Sequence, residues 1–375
     1  MKVGYYSPLP PAPTGVADYA AALVAELRRF GAVEVNARRA DVFLYHLGNN
    51  QLHLPIYRRA LAEPGVVVLH DAVLHHFFLG ALEREAYLAE FAYNYGEWAR
   101  GLAERFWEER SRSEQDPRYF RYPMLRRIAE VSRAVLVHNP AAARMVREHC
   151  PAARVVEVPH AAWPWDPVPQ AEILRWRMAH GLGSRTVLFG VFGYLRASKR
   201  LSSVLRAFQA VRKTGASVAL LLAGRFENPE LERALEPLLE GVIRLGYQPE
   251  RDFRKLAATV DVCLNLRYPS AGETSGITVA MMNLGKAVVL SASEEVSRFP
   301  DDVCLRVEPG LGESYMLEYL MLWLARCPEA AAEIGRRAAA YLRRHHAASE
   351  VARRYWELLR GLATGASGSA PSPTE

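Results

Sequence analysis

The chain has 375 residues, half of them hydrophobic and 23% charged, which excludes a disordered polymer and leaves length for two buried cores. Its net charge is +6, yet only five of its 47 basic residues are lysines. A coding bias toward arginine accounts for that skew, as does attraction to an anionic ligand. No basic stripe interleaved with aromatics stands out, so nucleic acid is not expected as a partner. No run of about 18 apolar residues offers a transmembrane helix.

Residues 3–6 read as a first strand, 7–14 as a proline-rich loop, and Gly15 as the start of a helix with Tyr19, Leu23 and Leu27 at helical spacing. Prolines at 8, 10, 11 and 13 interrupt the order of a signal peptide. Short β-branched runs predict strands at 42–45, 66–69, 135–137 and 155–158, and residues 81–110 read as one long helix. The stretch Trp163-Pro-Trp-Asp-Pro-Val-Pro169 suits neither helix nor central strand. Strands and helices then alternate again: strands at 187–191, 218–223, 242–245, 262–266 and 287–290, with helices at 201–213, 229–239, 250–258 and from 276 to 284. Two closing helices are expected near 312–326 and 328–360. Strands joined by helical crossovers imply parallel α/β sheets. The cysteines 150, 263, 304 and 327 form no CxxC pair, so reduced thiols in a cytoplasmic protein are expected, with neither a zinc cluster nor a disulfide framework.

Ligands of open parallel sheets bind beyond the carboxyl ends of the strands, so the segments just after strands carry the functional candidates. In Pro13-Thr14-Gly15-Val16-Ala17-Asp18-Tyr19 a glycine opens a helix, where backbone can approach an anion; a plain tight turn fits equally well. No GxGxxG or GxxxxGK[ST] fingerprint accompanies it. His70-Asp71 ends a buried strand, where His70 could bond a sugar hydroxyl or a phosphate in either protonation state, or Asp71 could cap the next helix. His75 and His76 lack carboxylates at ligand spacing, so no metal site is expected. The loop Phe192-Gly-Tyr-Leu-Arg-Ala-Ser-Lys-Arg200 brings Arg196, Lys199 and Arg200 to a helix start, which suits a diphosphate. The strongest candidate is Leu266-Arg-Tyr-Pro-Ser-Ala-Gly-Glu-Thr-Ser-Gly276. There Glu273 could grip sugar hydroxyls, while Thr274, Ser275 and Gly276 offer N–H groups to a phosphate.

In this order and at these spacings the segments resemble a GT-B glycosyltransferase of the retaining family 4 type, over about residues 2–360. DVCLNLRYPSAGETSG at 261–276 is similar to a subgroup with an NLRYPxxGETSG loop, and PLPPAPTGVADY, HLGNN at 46–50, LHD at 69–71 and FGYLRASKR at 192–200 fit the same subgroup. The resemblance implies an α/β fold of two Rossmann-like parallel-sheet domains facing a central cleft. These are an acceptor domain over 1–165 and a donor domain over 166–345, with a helix over 346–363 crossing back to the first. The polar tail 364–375 is expected to be disordered.

The activity implied is that of a retaining, metal-independent hexosyltransferase in polysaccharide or glycan assembly, with no cofactor. Its donor would be a UDP- or GDP-sugar and its acceptor a glycan or a lipid-linked molecule. Lys199 matches the lysine that holds the diphosphate and Glu273 the donor-loop glutamate, while His70 would position the donor sugar. Gly15, Arg196, Arg200, Thr274, Ser275 and Gly276 complete the implied donor site. The family's arginine, five residues before the lysine, falls on Tyr194, with Arg196 or Arg200 as substitute; its second glutamate, eight residues after the first, falls on Met281. These departures keep two alternatives open: an inactive nucleotide-sugar-binding partner of another transferase, or a GT-B epimerase. Trp98, Arg100, Arg105, Phe106 and Trp107 allow two readings, packing with solvated charge or contact with a lipid-linked acceptor at the inner membrane face.

Overall fold

Among the described residues, twelve short strands rich in Val, Leu and other apolar residues pair into two six-stranded sheets in which each pairing is parallel. This computed structural model describes residues 1–113 and 116–365; the expected disordered tail beyond 365 lies outside the described residues. No helix among the described residues is long and apolar enough to cross a membrane. The chain divides into two units. The first comprises Met1–Ala161, Ala271–Thr274 and the chain from Ala348, and the second comprises Ala162–Ser270 and Ser275–Ala347.

The first sheet contains β1 (Lys2–Tyr6), β2 (Ala32–Val35), β3 (Val42–Leu47), β4 (Val66–Leu69), β5 (Ala134–Val137) and β6 (Val155–Glu157), in the order β2-β1-β3-β4-β5-β6. Its central strands are buried on both faces, hence the continuous apolar run of β4. The helices are α1 (Gly15–Leu27), α2 (Leu54–Ala62), α3 (His75–Ala81), α4 (Arg84–Tyr95), α5 (Arg100–Glu108), α6 (Arg126–Val131) and α7 (Pro140–His149). The long helix expected over 81–110 is interrupted: Gly96 sits at φ +93, a conformation that favours glycine, and ends α4.

In the second unit, α8 (Gln170–Ala179) precedes β7 (Val187–Phe192). Then come α9 (Leu201–Lys213), β8 (Val218–Ala223), α10 (Pro229–Leu235), β9 (Val242–Leu245), α11 (Glu250–Thr259) and β10 (Val262–Asn265). The unit ends with α12 (Gly276–Asn283), β11 (Ala287–Ser291), β12 (Leu305–Val307), α13 (Glu313–Arg326) and α14 (Pro328–His345). The strand order is β12-β11-β10-β7-β8-β9. Alternation along β7 sends Val187, Phe189 and Val191 into a core with α9 and α13, and Leu188 and Phe192 into a core with α11, α12 and α14.

The single closing helix expected over 328–360 is two helices. After α14 the chain leaves helical geometry, where Ala162 N donates to His346 O at 2.8 Å, and α15 (Ala348–Ala363) follows. The last helix packs on α1 in the first unit, with Tyr19 and Tyr355 hydroxyls 3.3 Å apart and Phe30 stacked on Trp356.

In the second unit α14 approaches the turn after α12 so closely that a Cβ on Gly335 would lie 1.9 Å from the Gly285 carbonyl oxygen. Backbone cannot yield as a side chain would. Gly335→Ala is therefore expected to cost about 2–3 kcal/mol, read as a lower urea midpoint with unchanged slope.

Candidate functional site

An open parallel sheet offers its binding edge where strand order reverses, beyond the carboxyl ends of the two strands that flank the reversal. In the second unit that point lies between β7 and β10. The loop after β7 carries Arg196, Lys199 and Arg200, and the loop after β10 runs through Arg267 to α12. The link between them is Asn265, the last residue of β10 and only 3% exposed. Its Oδ1 accepts from Lys199 Nζ at 3.3 Å, while its Nδ2 donates to Ser275 Oγ at 2.8 Å and Thr278 Oγ1 at 2.7 Å. Ser275 N-caps α12, accepts from Thr278 N and is within 3.3 Å of the Arg267 guanidinium. Gly276, exposed, is the first residue of α12. One buried amide thus fixes a lysine and a helix N-terminus, both of which attract anions.

The arginines beside it are already engaged. Arg200 Nε donates to Glu313 at 2.8 Å, and Arg196 pairs with Glu227 at 3.3 Å. Glu313 is fully buried and also accepts from Ser203 Oγ. Arg200 adopts φ +57 at the N-cap of α9, so the ion pair holds a residue in a left-handed conformation that few side chains favour. Tyr194, where the family has arginine, is 48% exposed, with the Arg196 guanidinium 5.2 Å over its ring. Met281 is fully buried in the core beneath α12. An acidic group at that position would be inside the protein, so this chain has no carboxylate there for a ribose.

In the first unit the order reverses between β1 and β3. Gly15 opens α1 after the loop that follows β1, with Thr14 as N-cap, and an added Cβ there would meet nothing within 4 Å. Neither crowding nor backbone angle demands that glycine. His46 is the penultimate residue of β3 and His70 directly follows β4, with His46 Nδ1 and His70 Nε2 2.8 Å apart. His138, His160 and Tyr19 surround them at ring distances of 4.5 to 5.6 Å.

Burial first, and then the neighbouring imidazoles, holds His70 well below the usual histidine range; His46 is lowered the same way. The lowering favours the neutral imidazole of His70 at physiological pH. Asp71 does not cap the next helix. Its carboxylate accepts from Asn49 N, and Asn49 Oδ1 accepts from Phe77 N in the first turn of α3. His75 is a core residue bonded to Tyr119 O and Tyr87 OH. Among the described residues no three His, Cys, Asp or Glu side chains are placed to hold a metal ion.

The segment Ala271–Thr274 also belongs to the first unit. Ala271 O accepts from Ala72 N and Val73 N, directly after His70-Asp71. Asn139, the N-cap of α7, donates to Gly272 O and Thr274 Oγ1, each at 3.0 Å. Gly272 takes φ +73, where a Cβ would be 2.8 Å from that of Ala72. Glu273 turns its carboxylate onto Ala271 N at 2.8 Å. The backbone beside Glu273 is thus bonded to the residues that follow His70-Asp71 in the first unit, while Lys199 and Ser275 share Asn265 in the second. Asn139 was not among the sequence candidates, and Asn265 and His46 entered only within the NLRYPxxGETSG and HLGNN stretches; each is a single polar residue near the end of an apolar strand or opening a helix, and that is the signal available in sequence.

Residues 186–310 match the family model described as Glycosyl transferases group 1. The match spans all six strands of the second sheet and its strand-order reversal. Anabaena HepE in complex with UDP-glucose aligns with a TM-score of 0.68 at 15% identity, covering 96% of this chain and 100% of that one. Sucrose-phosphate synthase from Thermosynechococcus elongatus aligns with 0.69 at 14% identity, covering 97% and 100%. WaaG, a glycosyltransferase involved in lipopolysaccharide biosynthesis, aligns with 0.61 at 14% identity, covering 96% and 100%. At these identities the likeness is one of fold, and the fold is the expected class of two Rossmann-like parallel-sheet units. No curated protein matches the chain.

Asn265→Ala leaves a buried amine and two hydroxyls without their shared partner and is expected to cost about 2 kcal/mol in urea denaturation. The histidines give a second expectation. Burial lowers His53 to about 4, so the folded chain holds it neutral while the unfolded chain protonates it below the ordinary value near 6.5. The stabilisation is complete above that value and is lost as pH falls toward 4. His53 alone should remove about 2 kcal/mol between pH 7 and 5. The carboxylates Glu333 and Glu350, held near 2 by arginines, lose their contribution only below about pH 4.5. Denaturation midpoints at pH 7, 6 and 5 check this, and His53→Gln should flatten the slope.

Proposed function

We propose that the chain transfers a hexosyl group from a nucleotide-diphosphate sugar to an acceptor hydroxyl, with retention at the anomeric carbon and without a metal ion. The observation that carries this reading is the Lys199–Asn265–Ser275 network at the strand-order reversal of the segment that matches the glycosyl transferase model. A cation and a helix N-terminus tied to one amide suit a leaving diphosphate. The C1–oxygen bond to the diphosphate breaks as Lys199 and the first N–H groups of α12 neutralise its charge. The acceptor oxygen bonds to C1 from the same face and gives its proton to a diphosphate oxygen, so no protein nucleophile is required.

Arg196 and Arg200 are assigned to the same diphosphate, which would share them with Glu227 and Glu313. Glu273 is assigned to sugar hydroxyls, the backbone of Thr274, Ser275 and Gly276 to phosphate, His70 to the donor sugar, and Gly15 to backbone approach. The UDP-glucose bound by HepE makes uridine diphosphate sugars the first donors to try. A glycan or lipid-linked acceptor in polysaccharide assembly, at or near the inner membrane face, fits the involvement of WaaG in lipopolysaccharide biosynthesis. In the 81–110 stretch Trp98 is 80% exposed, whereas Phe106 is core, so Trp98 with Arg100 is the part suited to such an acceptor. The apolar Met281 favours one second reading, a nucleotide-sugar-binding partner without turnover.

Thermal shifts with UDP, GDP, ADP, CMP and dTDP, with and without chelator, test the donor site. A nucleotide at a hundredfold excess over its Kd stabilises by about 2.7 kcal/mol. A selective shift that survives chelation and disappears in Lys199→Ala is expected, together with release of the nucleotide diphosphate from its sugar donor. Binding without release would favour the inactive partner. No shift from any nucleotide would overturn both readings.

A further inference from the structure

β3 and β4 are parallel neighbours in register, with Leu47 opposite Leu69, and His70 N extends the ladder by donating to Leu47 O at 2.9 Å. That backbone bond holds the two imidazoles stacked at 5.1 Å, with His46 Nδ1 and His70 Nε2 2.8 Å apart. One nitrogen must donate and the other accept. The second nitrogen of His46 decides which. His46 Nε2 is buried and has no hydrogen-bond partner among the described residues, and its ring lies 4.9 Å from that of Tyr5. A proton there would be a buried N–H without an acceptor, which folded proteins almost never keep, whereas an unused lone pair is tolerated better. His46 therefore carries its proton on Nδ1 and donates to His70 Nε2. His70 must then carry its own proton on Nδ1, the ring nitrogen to which no group among the described residues bonds.

We propose that His46 is a positioning residue that fixes His70 as the Nδ1–H tautomer, so that His70 presents a neutral hydrogen-bond donor to an oxygen of the sugar nucleotide. This rests on the assignment of His70 to the donor sugar. His53, His138 and His160 face the pair, and with burial they disfavour a second proton, and so a positive charge, on either ring. A donor-only imidazole can bind a hydroxyl, ring or phosphate oxygen but cannot take a proton from the acceptor. The acceptor's proton then goes to the departing diphosphate, as the proposed reaction requires.

The test uses the full chain with 15N-labelled histidine, in wild type, His46→Asn and His46→Leu. Asparagine keeps an N–H near the Nδ1 position; leucine removes it. The His70 imidazole signals, identified by their loss in His70→Gln, should report Nδ1–H in wild type and His46→Asn and shift toward Nε2–H in His46→Leu. With a UDP-sugar donor, His46→Leu should lower kcat about 10- to 100-fold with a much smaller change in KM, and His46→Asn should restore most of it. An Nε2–H signal from His70 in wild type would overturn the inference, as would a His46→Leu protein with unchanged tautomer and kcat. If His46→Leu fails to fold, the wild-type spectrum still decides. A wild type that releases no nucleotide diphosphate from any sugar donor would remove the proposed activity, leaving the tautomer measurement to decide the His46 pairing by itself.

Discussion

In a sheet whose neighbours all run the same way, each strand must be left by a crossover, and all carboxyl ends emerge along one edge. Side chains within the strands are buried on both faces, so a polar residue meets a ligand only after the last buried position. In each unit the chain starts in the sheet interior, winds one way and then the other, and leaves a gap between diverging loops. Gly15, His46, His70, Lys199 and Asn265 all lie at or just beyond a strand's carboxyl end or at the helix that follows. Their position follows from parallel pairing, before any detail of chemistry.

That constraint also explains what could be read in the sequence. Buried strands such as Val66–Leu69 and Val218–Ala223 announce themselves as unbroken apolar runs. The two that escaped, β2 and β12, are sheet edges of four and three residues, with Glu34 and Arg306 among them; half-solvated edges need no such run. The short helices α2, α3, α6, α7 and α8 escaped as well, α3 for the opposite reason. In α3, with sequence HHFFLGA, His75 and the phenylalanines are all buried, so no polar face marks its period. Loop residues with unusual chemistry, Lys199 and the Glu273–Gly276 cluster, were legible from composition. The pairings of Asn265, Asn139 and His46 were not, because each has a partner that lies 24 to 135 residues away.

The two units solve a similar problem with different charge. Asn265 closes β10 and holds a lysine beside a helix N-terminus, concentrating positive potential with one neutral amide. His46, the penultimate residue of β3, holds a second imidazole, and burial with crowding by His53, His138 and His160 keeps that group uncharged. Both use a fully engaged or apolar-packed residue behind the one that faces outward, so the outward group has little rotational freedom left. Lost freedom at a ligand-facing group is entropy that binding need not remove.

The first unit is written in three separate stretches of chain, the last being the helix whose Tyr355 meets Tyr19 and whose Trp356 fills the space beside Gly31. A gene fragment ending at Ala161 would encode the whole first sheet yet leave uncovered the apolar face of α1, together with the ends of Asn139 that hold Gly272 and Thr274. During synthesis from the amino terminus the same state exists transiently, until α15 leaves the ribosome. Completion of this unit is therefore deferred until α15 has emerged, and the second unit, whose residues all precede α15, can close before the first.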